Sequence, residues 1–164
     1  MDCPYRIGHG HDVHRVLPGG RLVLGGVEVP CDFGLLGHSD ADVVLHALMD
    51  ALLGAAGLGD IGEFFPDSDA AFLGADSREL LRQIVERVVA AGFVVVNVDL
   101  MIHAERPKLA AYKPAIRTSI AEAIGISADR VNIKAGTNEG LDAVGRGLGI
   151  ACDAVALLAV AETR

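Results

Sequence analysis

Residues 38–69 read HSDADVVLHALMDALLGAAGLGDIGEFFPDSD, in which a strongly apolar helix follows a short polar segment. The apolar positions recur every three or four residues and predict a helix over about 40–57 with one buried face: Val43, Val44, Ala47, Leu48, Ala51 and Leu52. Ser39 or Asp40 can cap its start, and Gly57 can end it. At intervals of four residues, a polar stripe runs along the same helix through Asp42, His46 and Asp50.

A second polar group precedes this helix, at the end of a predicted strand over residues 5–15. Alternation along a strand places Asp12 and His14 on one face, and His9 and His11 on the other. An aspartate with two or three histidines, counting those within 38–46, suits a zinc site with one open position. Histidines held by hydrogen bonds explain the same pattern, so the spacing alone leaves both interpretations open.

The rest of the chain shows further strand and helix patterns. Pro18-Gly19-Gly20 marks a turn that would join the first strand to a second strand, 21–29, as a hairpin. The remaining patterns predict a loop over 59–69, a helix from Asp76 or Ser77 to Gly92, a strand over 93–104, a helix over 110–124, and strands over 131–135 and 150–161. This order predicts an α+β fold in one domain, 1–164: a single β-sheet covered on one face by helices, a two-layer sandwich. The apolar last strand implies that another subunit provides the second cover.

Composition narrows the classes of function. The chain has 164 residues, of which 51% are hydrophobic, and a formal net charge of -8. The sequence shows no basic surface, so nucleic-acid binding is not expected. Three cysteines without a CxxC pair, and an N-terminus without a signal pattern, indicate a cytoplasmic protein. The longest apolar stretch, 150–161, contains Asp153 and is too short to span a bilayer, so no membrane partner is expected.

Three other segments contain polar residues that suit an anionic ligand. Gly136-Thr137-Asn138-Glu139-Gly140 follows a strand, and its glutamate could hold a hard cation such as Mg²⁺. Backbone amides at the start of the first helix, beside His38 and Ser39, could receive phosphate oxygens. Arg106-Pro107-Lys108 and Gly145-Arg146-Gly147 supply cations. Taken singly, each segment is more simply explained as a polar turn, an ordinary cap or a solvated loop.

Together these motifs mark a family resemblance over residues 5–161, in GHGHDVH (8–14), the block 38–69, RPK (106–108) and GRG (145–147). The chain resembles the 2-C-methyl-D-erythritol 2,4-cyclodiphosphate synthase family, zinc enzymes of the non-mevalonate isoprenoid pathway. The resemblance implies a homotrimer with active sites between neighbouring subunits. It also implies conversion of 4-diphosphocytidyl-2-C-methyl-D-erythritol 2-phosphate to the cyclic diphosphate with release of CMP, a phosphorus-oxygen lyase reaction.

The resemblance further implies a role for individual residues. Asp12, His14 and His46 match the ligands of one zinc ion per subunit, and Glu139 matches the ligand of a second metal, Mg²⁺ or Mn²⁺. His38 and Thr137 match the catalytic positions that stabilise the transition state. The expected substrate contacts are Asp12, His14, His38, Ser39, Asp60, Gly62, Phe65, Asp67, Asp69, Ala104, Pro107, Lys108, Gly136, Thr137, Glu139, Ala143 and Arg146. Within this set, segment 104–110 matches the part that takes the cytosine nucleotide from the adjacent subunit.

The chain also departs from the usual pattern of that family. Ala143 and Val144 stand where a phenylalanine and a threonine are common, and Leu148 stands where an acidic residue is common. In the family these positions lie near the trimer axis, in an apolar channel linked to isoprenoid diphosphates, so the binding of such ligands here is left open. Gly136 and Asn138 replace threonines that are common in the phosphate loop.

The chemistry that follows is an intramolecular phosphoryl transfer. The 2-phosphate of the substrate attacks the β-phosphorus and CMP leaves, so no protein nucleophile is required. Two alternatives share the same residues: a zinc-dependent phosphohydrolase that activates water at the open zinc position, and a trimeric scaffold that binds metal or an isoprenoid ligand without turnover.

Overall fold

The computed structural model describes residues 3–66, 68–69 and 72–161. The strands are β1 (Tyr5–Pro18), β2 (Val23–Leu24), β3 (Val27–Glu28), β4 (Phe33–Leu35), β5 (Phe93–His103), β6 (Val131–Gly136) and β7 (Gly149–Val160). The helices are α1 (Val43–Ala56), α2 (Ile61–Phe64), α3 (Ser77–Ala90), α4 (Lys113–Ile124) and α5 (Asp142–Gly145), with a 3₁₀ turn over Ala128–Arg130 before β6. Among these helices, none is long and apolar enough to cross a membrane.

Five strands form a mixed sheet in the order β4-β1-β7-β5-β6, in which only β5 and β6 are parallel. Helix α1 lies against β1 and β7, while α3 and α4 continue this helical layer over β5 and β6. The helix side of β1 and β7 is covered: Gly10 and its partner Ala154 are buried, and half-buried Asp12 lies beside buried Cys152. The predicted α+β class is therefore confirmed.

The predicted hairpin between the first strand and residues 21–29 is wrong. Instead, Val23–Leu24 and Val27–Glu28 form a separate small hairpin around Gly25 and Gly26. Both glycines have positive φ, which a two-residue turn of this kind requires. Strand β1 pairs with β4 and β7, and the small hairpin is anchored in the core by buried Leu22, Leu24 and Val29.

Two predicted helix starts also need correction. Helix α1 begins at Val43 and is capped by Asp42, whose carboxylate accepts the N–H groups of Val44 and Leu45; neither Ser39 nor Asp40 is the cap. The Asp40 carboxylate accepts N–H groups outside the helix, from Asp42 and Ser77, and so is not available for that role. Helix α4 begins at Lys113 instead of 110, and the predicted ends at Gly57 and Ile124 agree with the structure.

Asp42 is completely buried and joins α1 to the small hairpin, because its carboxylate also accepts the N–H groups of Gly25 and Gly26 at 2.8 and 2.6 Å. We expect Asp42→Ala to lower the free energy of unfolding by roughly 3–5 kcal/mol, since a helix cap is lost and buried N–H groups lose their acceptor. Urea denaturation measures this change.

The matched control is Asp76→Ala, which removes the exposed cap of α3 and its hydrogen bond from Arg78. Its expected cost is about 1 kcal/mol. Equal losses for the two variants would show that the link between Asp42 and the hairpin contributes nothing beyond capping.

Candidate active site

Three side chains converge between strand β1 and helix α1. Asp12 and His14 lie two residues apart on β1, and His46 lies in the second turn of α1. The Asp12 Oδ2 atom is 2.8 Å from His14 Nε2 and 3.2 Å from His46 Nδ1, and the two nitrogens are 3.2 Å apart. Three ligands about 2.0–2.2 Å from a tetrahedral zinc ion lie roughly 3.3 Å from one another, so this triangle fits a small divalent cation.

In each imidazole, one nitrogen faces the triangle and the other faces away from it. The hydrogen bond made by the nitrogen that faces away indicates whether the facing nitrogen carries a lone pair. His14 Nδ1–H donates to the carbonyl oxygen of Leu36 at 2.6 Å, which leaves Nε2 as an acceptor. His46 Nε2 lies 3.0 Å from Ser39 Oγ and 3.2 Å from Ser77 Oγ. If Nε2–H donates to one of these hydroxyl groups, the His46 Nδ1 atom has a lone pair that faces the triangle. A carboxylate oxygen and two imidazole lone pairs within 3.2 Å of one another could hold one small cation between them.

The electrostatics agree with this description. Burial alone would raise the pKa of Asp12, but the hydrogen bonds and charges of His14 and His46 outweigh it and hold this pKa well below its usual range. Burial alone would lower the pKa of His14, but its hydrogen bond to Asp12 and the charge of that carboxylate raise it above the ordinary value. Asp12 and His14 thus stabilise each other's charged forms, and a metal ion at this site would compete with protons.

The three residues line a cavity of about 530 Å³. Its other polar lining residues are His38, Ser39 and Asp50, and burial raises the pKa of Asp50. The remaining walls are apolar or glycine: Leu36, Gly37, Ile61, Gly62, Phe65, Pro66, Phe72 and Leu80. A polar centre within apolar walls suits a small polar ligand that has to be shielded from water.

A second cavity, of about 180 Å³, lies where β5 and β6 end. It is lined by Ala104, Glu105, Pro107, Lys108, Leu109, Ala110, Lys113, Ala135, Gly136 and Thr137. Two lysines at one small cavity favour an anionic ligand. No residue described for this cavity also lines the larger one.

A profile of the YgbB family matches residues 5–159, nearly the whole chain. Two relatives, both named 2-C-methyl-D-erythritol 2,4-cyclodiphosphate synthase, support the match. The relative from Bordetella avium is 57% identical over 97% of this chain and 98% of its own length. The relative from Cronobacter sakazakii is 59% identical over 93% of this chain and 96% of its own length. The chain belongs to the YgbB family.

Two solved structures are similar to this chain in both sequence and fold. The bifunctional IspDF from Campylobacter jejuni is 42% identical with a TM-score of 0.92, and the match covers 95% of this chain and 42% of that chain. A CDP complex of IspF from Plasmodium falciparum is 30% identical with a TM-score of 0.85, over 99% of this chain and 100% of that chain. The YgbB chain described here thus has the mixed sheet and helical layer of those proteins.

The structure of this YgbB chain brings together many of the predicted site residues. The larger cavity contains Asp12, His14, His38, Ser39, His46, Gly62 and Phe65, and the smaller one contains Ala104, Pro107, Lys108, Gly136 and Thr137. Asp69 joins the first group through its carbonyl oxygen, which accepts a hydrogen bond from His38 Nε2 at 3.0 Å. Glu139 accepts one from the Thr137 hydroxyl at 3.1 Å.

Other predicted residues lie elsewhere. Asp60 caps α2 by accepting the N–H of Glu63, and Arg146 is exposed after α5. Ala143 lines a third cavity, of about 470 Å³, beside Val144 and Leu148. Asp67 lies outside the described residues. His14 lines both this third cavity and the larger one, whereas the smaller cavity shares no lining residue with either.

The opposite face of the sheet also agrees with the predicted alternation along β1. His9 and His11 point away from α1 and contact the Asp153 carboxylate on β7, at 3.2 and 2.9 Å. Of the polar stripe predicted along α1, His46 and Asp50 reach the larger cavity, whereas Asp42 is buried as the helix cap.

Sequence reasoning missed Ser77 and Lys113 as candidate functional residues. Ser77 was placed only at a helix start, yet its hydroxyl contacts His46. Lys113 was placed only in a predicted helix, yet it lines the smaller cavity. Ser77 is separated from His46 by 31 residues, so no local signal marks the contact. For Lys113, the only local signal is its position five residues after Lys108.

Proposed function

We propose that this chain is a 2-C-methyl-D-erythritol 2,4-cyclodiphosphate synthase of the isoprenoid pathway. The observation that supports this best is the Asp12–His14–His46 triangle, which lines a cavity together with His38 and Ser39 and so faces the space where a substrate could bind. The relatives that are 57% and 59% identical to this chain over the aligned residues have this name. The substrate would be 4-diphosphocytidyl-2-C-methyl-D-erythritol 2-phosphate, and the products the cyclic diphosphate and CMP.

The donor atoms suit two different metals. Two imidazole nitrogens and one carboxylate oxygen would hold zinc, one ion per chain, through His14, His46 and Asp12. Glu139, an exposed carboxylate beside the Thr137 hydroxyl, would hold Mg²⁺ or Mn²⁺ together with the substrate phosphates. When bound, zinc would act as a Lewis acid on a phosphate oxygen, and the second metal would offset charge on the leaving phosphate.

The contribution of the protein is to bind and align the substrate. In the transfer, a 2-phosphate oxygen bonds to the β-phosphorus while the bond to the oxygen shared with the α-phosphorus breaks, and CMP leaves with that oxygen. His38 and Ser39 would bind phosphate in the larger cavity, Lys108 and Thr137 would bind phosphate at the smaller one, and the apolar walls would exclude water. Alignment of this kind can lower a barrier by roughly 7–11 kcal/mol.

A homotrimer with shared sites is part of the proposal. The two cavities of one chain share no lining residue in this structure, and in the proposed trimer the larger cavity of one copy and the smaller cavity of its neighbour would bind the two ends of one substrate. The sheet face opposite the helices exposes Tyr5, Ile7, Val13 and Val155, with Ile7 at 73%. Exposed apolar side chains on a broad sheet favour its burial against further copies of the chain.

The test is to identify the products formed by the purified protein from the cytidine-linked substrate with zinc and magnesium. Phosphorus NMR distinguishes the cyclic diphosphate plus CMP from the open-chain phosphate that a phosphohydrolase would release. The absence of any turnover would favour a binding scaffold instead. Sedimentation of the same sample measures the number of chains in the assembly.

Lys108 provides a test of the nucleotide cavity. We expect Lys108→Ala to weaken CDP binding and raise KM by about 10-fold or more, because a charge-assisted contact to phosphate is lost. The change in kcat should be smaller, since the residue lies in a different cavity from the Asp12–His14–His46 triangle. Isothermal titration with CDP and steady-state kinetics measure the two effects.

The control for this variant is Lys134→Ala, which removes a lysine of β6 that pairs with Asp99 at 2.5 Å. It should leave CDP affinity unchanged. If Lys108→Ala binds CDP as tightly as the unmodified chain, the smaller cavity is not the nucleotide site.

A further inference from the structure

A buried hydroxyl group connects the candidate metal ligand His46 to a carboxylate behind it. His46 Nε2 is 3.2 Å from Ser77 Oγ, and Ser77 Oγ is 2.5 Å from Asp40 Oδ1. The backbone N–H of Ser77 donates to the second oxygen of the same carboxylate at 3.0 Å. Ser77 is completely buried at the start of α3, and its hydroxyl is satisfied by these two groups together with a longer contact, 3.4 Å, to the Ser39 hydroxyl.

The direction of the hydrogen bonds in this chain follows from the donors available. Asp40 accepts two backbone N–H groups, from Asp42 and Ser77, as an ionised carboxylate does. The Ser77 hydroxyl therefore donates its hydrogen bond to the Asp40 Oδ1 atom, 2.5 Å away. The Ser77 oxygen then has only lone pairs to offer to His46, which favours Nε2 as the nitrogen that carries the hydrogen and leaves the Nδ1 lone pair for a metal ion.

The contact between Ser77 and His46 is needed because the Ser39 hydroxyl alone does not fix the tautomer of His46. Its hydroxyl lies 3.0 Å from His46 Nε2 and can either donate or accept there, because its only other close contacts are the N–H of Ala41 and the hydroxyl of Ser77. If Ser39 donated, His46 would adopt the other tautomer and direct an N–H group at the metal position. Ser77, held by Asp40, removes that ambiguity.

We propose that Ser77 and Asp40 are positioning residues for the metal centre, which hold His46 as the Nε2–H tautomer with its Nδ1 lone pair directed at Asp12 and His14. Partners behind a ligating histidine fix both its tautomer and its ring orientation. The proposal rests on the proposed function, because it concerns the same metal site.

Two variants and two measurements test it. In Ser77→Ala the acceptor is lost, and in Asp40→Asn the new amide N–H₂ can donate to Ser77, which frees the hydroxyl to donate to His46. We expect zinc affinity, measured by competition with a chelator, to fall 10- to 100-fold in both. Nitrogen-15 NMR of the metal-free protein should show His46 as the Nε2–H tautomer in the unmodified chain, mixed tautomers in Ser77→Ala, and a shift toward Nδ1–H in Asp40→Asn.

The control is again Asp76→Ala, because Ser77 and Asp40 also help to start α3. Asp76 caps the same helix through the N–H of Arg78 and has no contact with His46 in the described structure. It should change zinc affinity less than 3-fold and leave the His46 tautomer unchanged. A tenfold loss in this control would assign the effect to the helix start instead.

The outcomes separate the two proposals. Should Ser77→Ala and Asp40→Asn bind zinc as tightly as the unmodified chain, with His46 still in the Nε2–H form, the positioning role is wrong. Should the unmodified chain fail to bind zinc at all, the proposed metal site fails. In that case the tautomer measurement, made without metal, still decides whether Ser77 orients His46.

Discussion

Replacing His46 by alanine is expected to remove tightly bound zinc and catalytic activity together. The substitution deletes one of the three donor atoms of the triangle, and an aspartate with a single imidazole is a poor zinc site. Without the Lewis acid, the cyclisation rate should fall by at least about 1,000-fold, the scale on which preorganised charge acts in phosphoryl transfer. Metal analysis by mass spectrometry and product formation from the cytidine-linked substrate measure the two losses.

The control is Glu122→Ala. Glu122 is exposed on α4, in the helical layer, and lines neither cavity. Its removal should leave the zinc content at one ion per chain and change turnover less than 3-fold. A His46→Ala protein that is fully active and loaded with zinc would end the assignment of this triangle as the metal centre.

Local patterns were sufficient to predict most of the elements around this site. The helical spacing of Val43, Val44, Leu48 and Leu52 identified α1, and alternation along β1 placed Asp12 and His14 on the same face. Both effects act within one element, where the backbone period determines the direction of each side chain. The zinc role of the three residues came from family resemblance, because spacing alone left hydrogen-bonded histidines as an equal explanation.

The parts that were wrong depend on contacts between distant segments. Residues 21–29 have strand composition, yet the fold turns them back at Gly25 and Gly26 because the buried carboxylate of Asp42 takes both N–H groups. The same contact explains why Asp42, not Ser39 or Asp40, caps α1. Ser77 acquires its contact with His46 only when α3 packs beside α1. None of these pairings leaves a periodic signal in the sequence.

Gly10→Ala is expected to have the largest effect on stability. A Cβ atom at Gly10 would lie 2.0 Å from the carbonyl oxygen of Ala47 and 2.7 Å from the amide nitrogen of Ala51, both backbone atoms of α1. No side-chain rotation can relieve this overlap, so the helix must move away from β1 by more than 1 Å. We expect the free energy of unfolding to fall by more than about 4 kcal/mol, as measured in urea.

The same displacement should disrupt the metal centre, because Asp12 and His14 lie on the strand while His46 lies on the displaced helix. A shift of 1 Å at a reacting centre can lower the rate by about 100-fold, so any folded fraction should bind zinc weakly and turn over slowly. Gly54→Ala is the control, because a Cβ atom there meets nothing within 4 Å and alanine favours a helix by about 1 kcal/mol. It should be slightly more stable and fully active. If Gly10→Ala instead unfolds at the same urea concentration as the unmodified chain, α1 does not lie directly on the backbone of β1, and the proposed metal site loses the contact that brings its two halves together.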